Sequence, residues 1–257
     1  MTPSRPGKQE RHRRIVAELK ANPTVRISSL AEEFSVSTET VRRDIDELSA
    51  RGLVNRTYGG AASTAMSREP AVHARGGIMT AERERIARQA AASVEPGEVL
   101  MVDAGSTTAL FARRLAVEGT EATVITNSLS VASALAEAAA VQVMLCPGQY
   151  LGREHAVYGP ETADHLARYH ADRAILGASG LTAEGATEAH AAASWVKRAM
   201  LDRAARSSLL LDHGKFGQPF LEVVAPLARF DELVTDARPP AELAKALKQA
   251  GVRVRLA

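Results

Sequence analysis

The chain has 257 residues, 46% of them apolar, with 32 Lys/Arg against 30 Asp/Glu and a formal net charge of +2. That length exceeds one small domain and leaves chain for a second core. The single cysteine, Cys146, excludes an intramolecular disulfide, and no apolar run approaches the roughly 18 residues of a membrane span.

Residues 1–60 hold 11 Lys/Arg against 8 Asp/Glu and the remainder 21 against 22, so the basic excess is confined to the N-terminal end. Within it, Ile15, Val16 and Leu19 recur at helical spacing and predict an amphipathic first helix. Ser28 or Ser29 is placed to cap a second helix, Ser29 with Glu32 forming the S-x-x-E arrangement that satisfies orphan backbone N–H groups. Leu30, Ala31 and Phe34 then face inward, and Val36 fills the corner between helices. Ser37 is positioned to cap a third helix running to about Arg51, with Gly52 as its left-handed stop.

On that third helix Val41, Ile45 and Leu48 make one apolar stripe. The stripe turns Thr38, Thr40, Arg42 and Arg43 outward near the N-terminal half, the part of a recognition helix that reaches base edges and phosphates. Leu53 to Thr57 reads as a strand and Tyr58-Gly59-Gly60 as a tight turn, together a wing. The plainer alternative is a solvated face on which Arg42 and Arg43 pair with Asp46 and Glu47. As a set, the serine-capped basic helix, the short helix before it and the glycine hairpin after it read as a winged helix-turn-helix. Double-stranded operator DNA is its expected partner, with Ser37, Thr38, Thr40, Arg42, Arg43, Arg56 and Tyr58 as contacts.

Val36-Ser37, Thr40-Val41-Arg42-Arg43-Asp44-Ile45, Leu48 and Gly52 fit the pattern V-S-x-x-T-[IV]-R-R-D-[IL]-x-x-L-x-x-x-G, and Arg56 with Gly59-Gly60 follows. In these residues the chain resembles the DeoR family of bacterial transcription regulators.

The stretch from Ala61 to about Thr80 lacks helical or strand period and reads as a linker. The expected organisation is a winged helix-turn-helix over 8–61, a linker over 62–80 and an α/β domain over 81–257. In that last domain apolar strands alternate with amphipathic helices, the pattern of a mainly parallel sheet. Strands are predicted at Val99–Val102, Thr123–Thr126, Val141–Leu145, Ala174–Leu176, Ser208–Leu211, Leu233–Thr235 and Val252–Leu256, with helices including Leu129–Ala139 and Ala189–Ala205.

Ligands in such sheets bind at the carboxyl ends of the strands. There the chain places Asp103, Gly105, Ser106, Thr107 and Thr108, then Thr126-Asn127-Ser128, Gly177-Ala178-Ser179-Gly180 and Asp212 with Lys215. Hydroxyls and free N–H groups at a helix start suit a phosphate or carboxylate. Lys215 offers a point charge, and Asp103 or Asp212 can accept sugar hydroxyls. A plain capped turn at Ser106 and Thr107, and a surface pair between Lys215 and Asp212, are the alternatives. The effector residues expected are Asp103, Gly105, Ser106, Thr107, Thr108, Thr126, Asn127, Ser179, Asp212 and Lys215.

These segments, D-[SA]-G-[ST]-T-T, T-N-S, G-A-S-G and D-x-x-K-F-G, also resemble the sensor domain of the DeoR family. The resemblance implies a fold related to ribose-5-phosphate isomerase that binds a phosphorylated sugar or similar metabolite and alters DNA binding. An isomerase needs carboxylates to shuttle a proton. Gly177-Ala178-Ser179-Gly180-Leu181 and Val196-Lys197 stand where such enzymes resemble D-G-A-D-E and Glu-Lys, so acid/base groups are expected to be absent and the protein not to be an enzyme. A catalytic isomerase and a ligand-free oligomerisation body remain the alternatives.

No cofactor or metal is expected, since the histidines show no metal spacing. A homo-oligomer, dimer or tetramer, is expected. The N-terminal stretch lacks the apolar core of a signal peptide, and a reducing cytoplasm is the consistent compartment. Trp195 is expected to pack a helix face and His213 to lie beside the pocket without titrating usefully. Cys146 ends an apolar strand and is not expected to act as a nucleophile.

Overall fold

A computed structural model describes residues 6–21, 24–50, 54–57, 60–63, 72 and 79–257. The chain divides into two compact units, Met1–Glu69 and Pro70–Ala257.

The first unit opens with α1 (Lys8–Ala21), β1 (Thr24–Arg26), α2 (Ile27–Phe34) and α3 (Thr38–Ala50). It closes with β2 (Val54–Thr57) and β3 (Gly60–Ser63). Ile15, Leu30, Phe34, Val41, Ile45 and Leu48 meet in one core, as the helical spacing requires. The second helix does not start at a serine cap. Its N-cap is Arg26, without a side-chain cap bond, and Ser28 and Ser29 lie within the first turn. The cause is tertiary: β1 pairs antiparallel with β3, holding the chain extended through Arg26, and Ile27 is buried as soon as the helix begins. The three-stranded sheet has the order β1-β3-β2, and β3 runs through Ser63, beyond the predicted start of the linker. Gly52, Tyr58 and Gly59 lie outside the described residues.

In the second unit, β4 (Glu98–Val102), β5 (Ala122–Thr126), β6 (Val141–Leu145), β9 (Ala171–Leu176), β12 (Ala204–Leu210), β14 (Glu232–Thr235) and β15 (Arg253–Leu256) form one sheet. Its order is β15-β14-β12-β9-β4-β5-β6, and every pairing is parallel. The inner strands β4, β5, β9, β12 and β14 are largely buried on both faces, so alternate residues serve different cores. Leu100, Val102 and Ile175 pack under α4 (Thr80–Ala91), α5 (Ser106–Glu118) and α6 (Leu129–Leu135). Met101, Ala174 and Leu176 face α8 (Ala191–Arg203) and α9 (Ala241–Gln249). The chain leaves β4 outward in one direction and returns at β9 on its other side, which puts the switch point between those two strands.

Small elements decorate the carboxyl edge: a hairpin of β7 (Gln149–Leu151) and β8 (Ala156–Tyr158), the helix α7 (Pro160–Leu166), and an antiparallel sheet of β10 (Gly180–Thr182), β11 (Gly185–Glu188) and β13 (Glu222–Ala225). Gly180 is required there, because a Cβ would fall on the Gln218 carbonyl oxygen. Among the described residues no helix is long and apolar enough to cross a membrane.

Candidate functional site

In the first unit, Ser37 caps α3 as its sequence position demands. Its Oγ accepts the Thr40 N–H at 3.2 Å and lies 2.9 Å from Thr40 Oγ1. Thr38, Arg42 and Arg43 are exposed and Thr40 is half-buried, whereas Val41, Ile45 and Leu48 are buried. The arginines face Glu39, at 3.7 Å from Arg42 and 3.5 Å from Arg43, rather than Asp46 and Glu47. Arg56 lies on β2 and Tyr58 falls outside the described residues. A missed residue fixes this helix: Asp44, next to Arg43, is buried and takes two bonds from Arg11, at 2.6 and 3.1 Å, with His12 Nε2 at 3.1 Å.

At the switch point of the large sheet the carboxylates are not free. Lys197 Nζ is paired with Asp103 Oδ2 and stands 3.5 Å from Glu188, while Asp103 Oδ1 accepts the Gly177 N–H at 3.2 Å. Ser179 Oγ donates to Glu188 and accepts the Ala189 N–H. Burial opposes the Lys197 charge, but Asp103 and Glu188 outweigh it and hold the ammonium above its ordinary value. The isomerase-type acid and base groups are absent from residues 177–181 and from the position before Lys197, but Asp103, Glu188 and Lys197 stand buried together at this edge. Asp103, 1% exposed, has both oxygens bonded within the fold.

Asp212 is held within the fold as well. Its Oδ2 takes Arg83 Nε at 2.7 Å and its Oδ1 the Gly214 N–H at 3.1 Å. Lys215 is half-buried in the one-turn helix His213–Lys215 that follows. Arg83 also donates to Ser106 Oγ at 3.1 Å, joining two of the predicted strand ends. Thr108 serves the fold, bonding the carbonyls of Asp103 and Gly105, and Thr126 Oγ1 bonds the Val102 carbonyl. Thr107 is buried beside it. Gly105 is the N-cap of α5 and no side chain caps that helix, so neither Ser106 nor Thr107 answers its first-turn N–H groups as a capping side chain would. Asn127 is 1% exposed; its amide donates to the Val157 carbonyl, and its Oδ1 has no hydrogen-bond partner.

A cavity of about 440 Å³ opens between α4, α5, α6 and the turn of the β7–β8 hairpin. Arg83, Ser106, Arg113, Ser130, Ser133 and His155 line it, with Glu84 and Val72. Of the predicted effector residues, only Ser106 does so. His155 sits at a left-handed φ of 51°, its carbonyl accepting from Leu129 N and its Nδ1 3.1 Å from Ser130 Oγ. Arg113, Arg83 in its pairing with Asp212, an imidazole and four hydroxyls stand beside a helix start, with Glu84 as the one carboxylate among the described lining residues, a set suited to an anionic, hydroxylated ligand.

Sequence reasoning missed Arg83, Arg113, His155, Lys197 and Glu188. Two of these left a signal: Arg83 shares the helical register of Ile86, Ala87 and Ala90, and Lys197 that of Ala193, Met200 and Leu201, all core-facing. A charge on an apolar stripe needs a buried partner. Trp195, expected to pack, is 66% exposed, because helical spacing puts it on the face opposite that stripe. His213, expected not to titrate usefully, is held above its ordinary value by a 2.6 Å contact from Nδ1 to Asp236. Burial pushes the Cys146 thiol up to about 12, which leaves it protonated and inert at neutral pH. No group of three or more His, Cys, Asp or Glu among the described residues could hold a metal ion.

Residues 11–66 match the family described as the DeoR-like helix-turn-helix domain, and residues 78–237 match the DeoR C terminal sensor domain. The chain is 31% identical over 250 residues to the glycerol-3-phosphate regulon repressor of Escherichia coli, covering 96% of this chain and 98% of that protein. It is 31% identical over 248 residues to the HTH-type transcriptional repressor GlcR of Bacillus subtilis, covering 96% and 95%. Among solved structures it aligns with ribose 5-phosphate isomerase A of Methanocaldococcus jannaschii over 54% of this chain and 55% of that one, at 18% identity and a TM-score of 0.40.

Proposed function

The chain belongs to the DeoR family of transcription regulators, and from that premise we propose that it represses genes of carbohydrate or related metabolism and releases operator DNA when a phosphorylated sugar or similar metabolite binds its second domain. The single observation that carries the ligand class is the cavity in which Arg83, Arg113, His155 and Ser106 converge beside the start of α5. A phosphate suits the guanidinium groups, and the hydroxyls of Ser130 and Ser133 suit a polyol. The buried residues Asp103, Thr107, Thr108, Thr126, Asn127, Ser179 and Asp212 act behind this cavity, shaping the sheet edge, with Lys215 beside it.

Operator DNA is read by the N-terminal half of α3, with Ser37, Thr38, Thr40, Arg42 and Arg43 on the groove and Arg56 and Tyr58 on the wing. A homodimer or tetramer in the cytoplasm places two such helices on repeated half-sites. Residues 8–61, 62–80 and 81–257 are taken as reader, linker and sensor.

The test is a thermal-shift panel of glycerol 3-phosphate and hexose phosphates against their unphosphorylated parents, followed by gel shifts on DNA upstream of the protein's own gene. A ligand that binds the folded state raises the melting temperature and should release the DNA. The reading fails if no phosphorylated compound shifts a protein that binds this DNA, or if the parents shift it equally.

A further inference from the structure

The first turn of the DNA-reading helix carries an acid that the DNA-binding assignment leaves unexplained. Glu39 is the second residue of α3, and its side chain is 59% exposed. One carboxylate oxygen lies 3.7 Å from Arg42 Nη1 and the other 3.5 Å from Arg43 Nε. Both contacts are longer than a hydrogen bond, and the arginines are themselves 55% and 77% exposed, so the pairing is a loose electrostatic tether in water. The carboxylate is not needed as a cap, because Ser37 already accepts the Thr40 N–H.

An acid in this place is unfavourable for attachment to phosphates. It offsets part of the positive charge that draws Arg42 and Arg43 to any duplex. In the free protein it is favoured by the helix start and the two arginines; on DNA it is favoured where a donor faces it, and in the major groove a carboxylate accepts from the cytosine amino group. The guanine of the same pair, or of a neighbouring one, presents O6 and N7 to an arginine. Glu39 between two arginines therefore matches a G·C-containing step better than a run of phosphates.

We propose that Glu39 is a specificity-determining residue of α3, penalising attachment through phosphates alone and accepting a hydrogen bond from a cytosine amino group in the operator. The proposal rests on the DNA-binding domain and is independent of any effector.

The test uses the full chain and its Glu39→Ala variant, which removes both the charge and the acceptor oxygens at an exposed position. Each selects its preferred sites from a random duplex library. Each is then titrated by fluorescence anisotropy against the wild-type consensus duplex and a scrambled duplex across a salt series. Removing one negative charge beside the phosphates should tighten binding to the scrambled duplex roughly 3- to 10-fold at about 0.1 M salt. The ratio of consensus to scrambled affinity should fall at least tenfold, and one cytosine required by wild type should become degenerate in the variant's consensus. Replacing that cytosine in the duplex should weaken wild type but not the variant.

An unchanged consensus and an unchanged affinity ratio would overturn the proposal. Equal tightening on both duplexes would overturn it as well, since the carboxylate would then only repel phosphate. Loss of binding to both duplexes, in a variant with a normal melting temperature, would mean that Glu39 positions the arginines rather than discriminating among bases.

Discussion

Asp44 follows the two arginines of α3, yet its partners come from α1. Arg11 binds both of its oxygens and His12 touches one of them, so a single buried carboxylate fixes the DNA-reading helix against the first. Asp44→Asn keeps the shape and removes the charge, leaving Arg11 poorly matched, and should destabilise the first unit by about 3 kcal/mol in urea unfolding. An unchanged midpoint would mean that the pair contributes nothing net. His213 allows a second test. Its contact with Asp236 raises its pKa above the ordinary 6.5. The folded state therefore binds this proton more tightly than the unfolded chain; the stabilisation is fully present below pH 6.5 and fades as the pH rises through the raised value. His213→Gln should remove that pH-dependent component from the melting temperature, and an identical pH profile would show that the contact does not matter in solution. At this scale the sequence was partly legible: Ser37 as a cap follows from local chemistry, whereas Asp44 with Arg11 is a pairing between residues 33 positions apart that spacing cannot reveal.

The turn between α2 and α3 places Ser35 in the left-handed region, at φ 53° and ψ 47°, where a helix stop usually has glycine. Its N–H bonds the Glu32 carbonyl and the Val36 N–H bonds that of Ala31, so the geometry is held by the backbone rather than by the serine. Ser35→Gly should raise the stability of the first unit by about 0.5–1 kcal/mol, less the entropy that glycine adds to the unfolded chain. A lower unfolding midpoint would show the serine hydroxyl to be structural. Among elements, the inner strands β4 and β5 were readable because both faces of a central parallel strand are buried, and they add only one residue at the start; β6, at the sheet edge, spans the predicted residues. Predicted helices overran instead. Alanine favours helix at 204 and 205, but pairing of Ala204 with Ala171 draws the chain into β12, and α6 stops at Leu135 to let β6 begin. The strands β1, β7, β8, β10, β11 and β13 have three or four residues each, too few for a period to emerge.

At the scale of the whole molecule, Val72 is the described residue near the start of the second unit, and it belongs to the cavity. It lies within the predicted linker, is 6% exposed, donates its N–H to the Arg153 carbonyl at 3.0 Å and lines the cavity with Arg83 and His155. Under the proposed function, ligand entering there meets a residue two positions beyond the start of the second unit. Val72→Gly removes part of the cavity wall and should reduce the phosphate-induced melting shift and raise the ligand concentration needed to release DNA together. An unchanged melting shift would show that the ligand does not lie against Val72. The strand order carries one more consequence, for the moment of synthesis. Pairing in the first unit closes within residues 24–63, whereas β4 must wait for β9, and the outermost strand of the large sheet is β15 at Arg253–Leu256. At about 5–20 residues per second, roughly 10–40 s separate the two events on the ribosome. A newly made chain thus presents its operator-reading surface before any metabolite can govern it, and for that interval each nascent protein is an unregulated one.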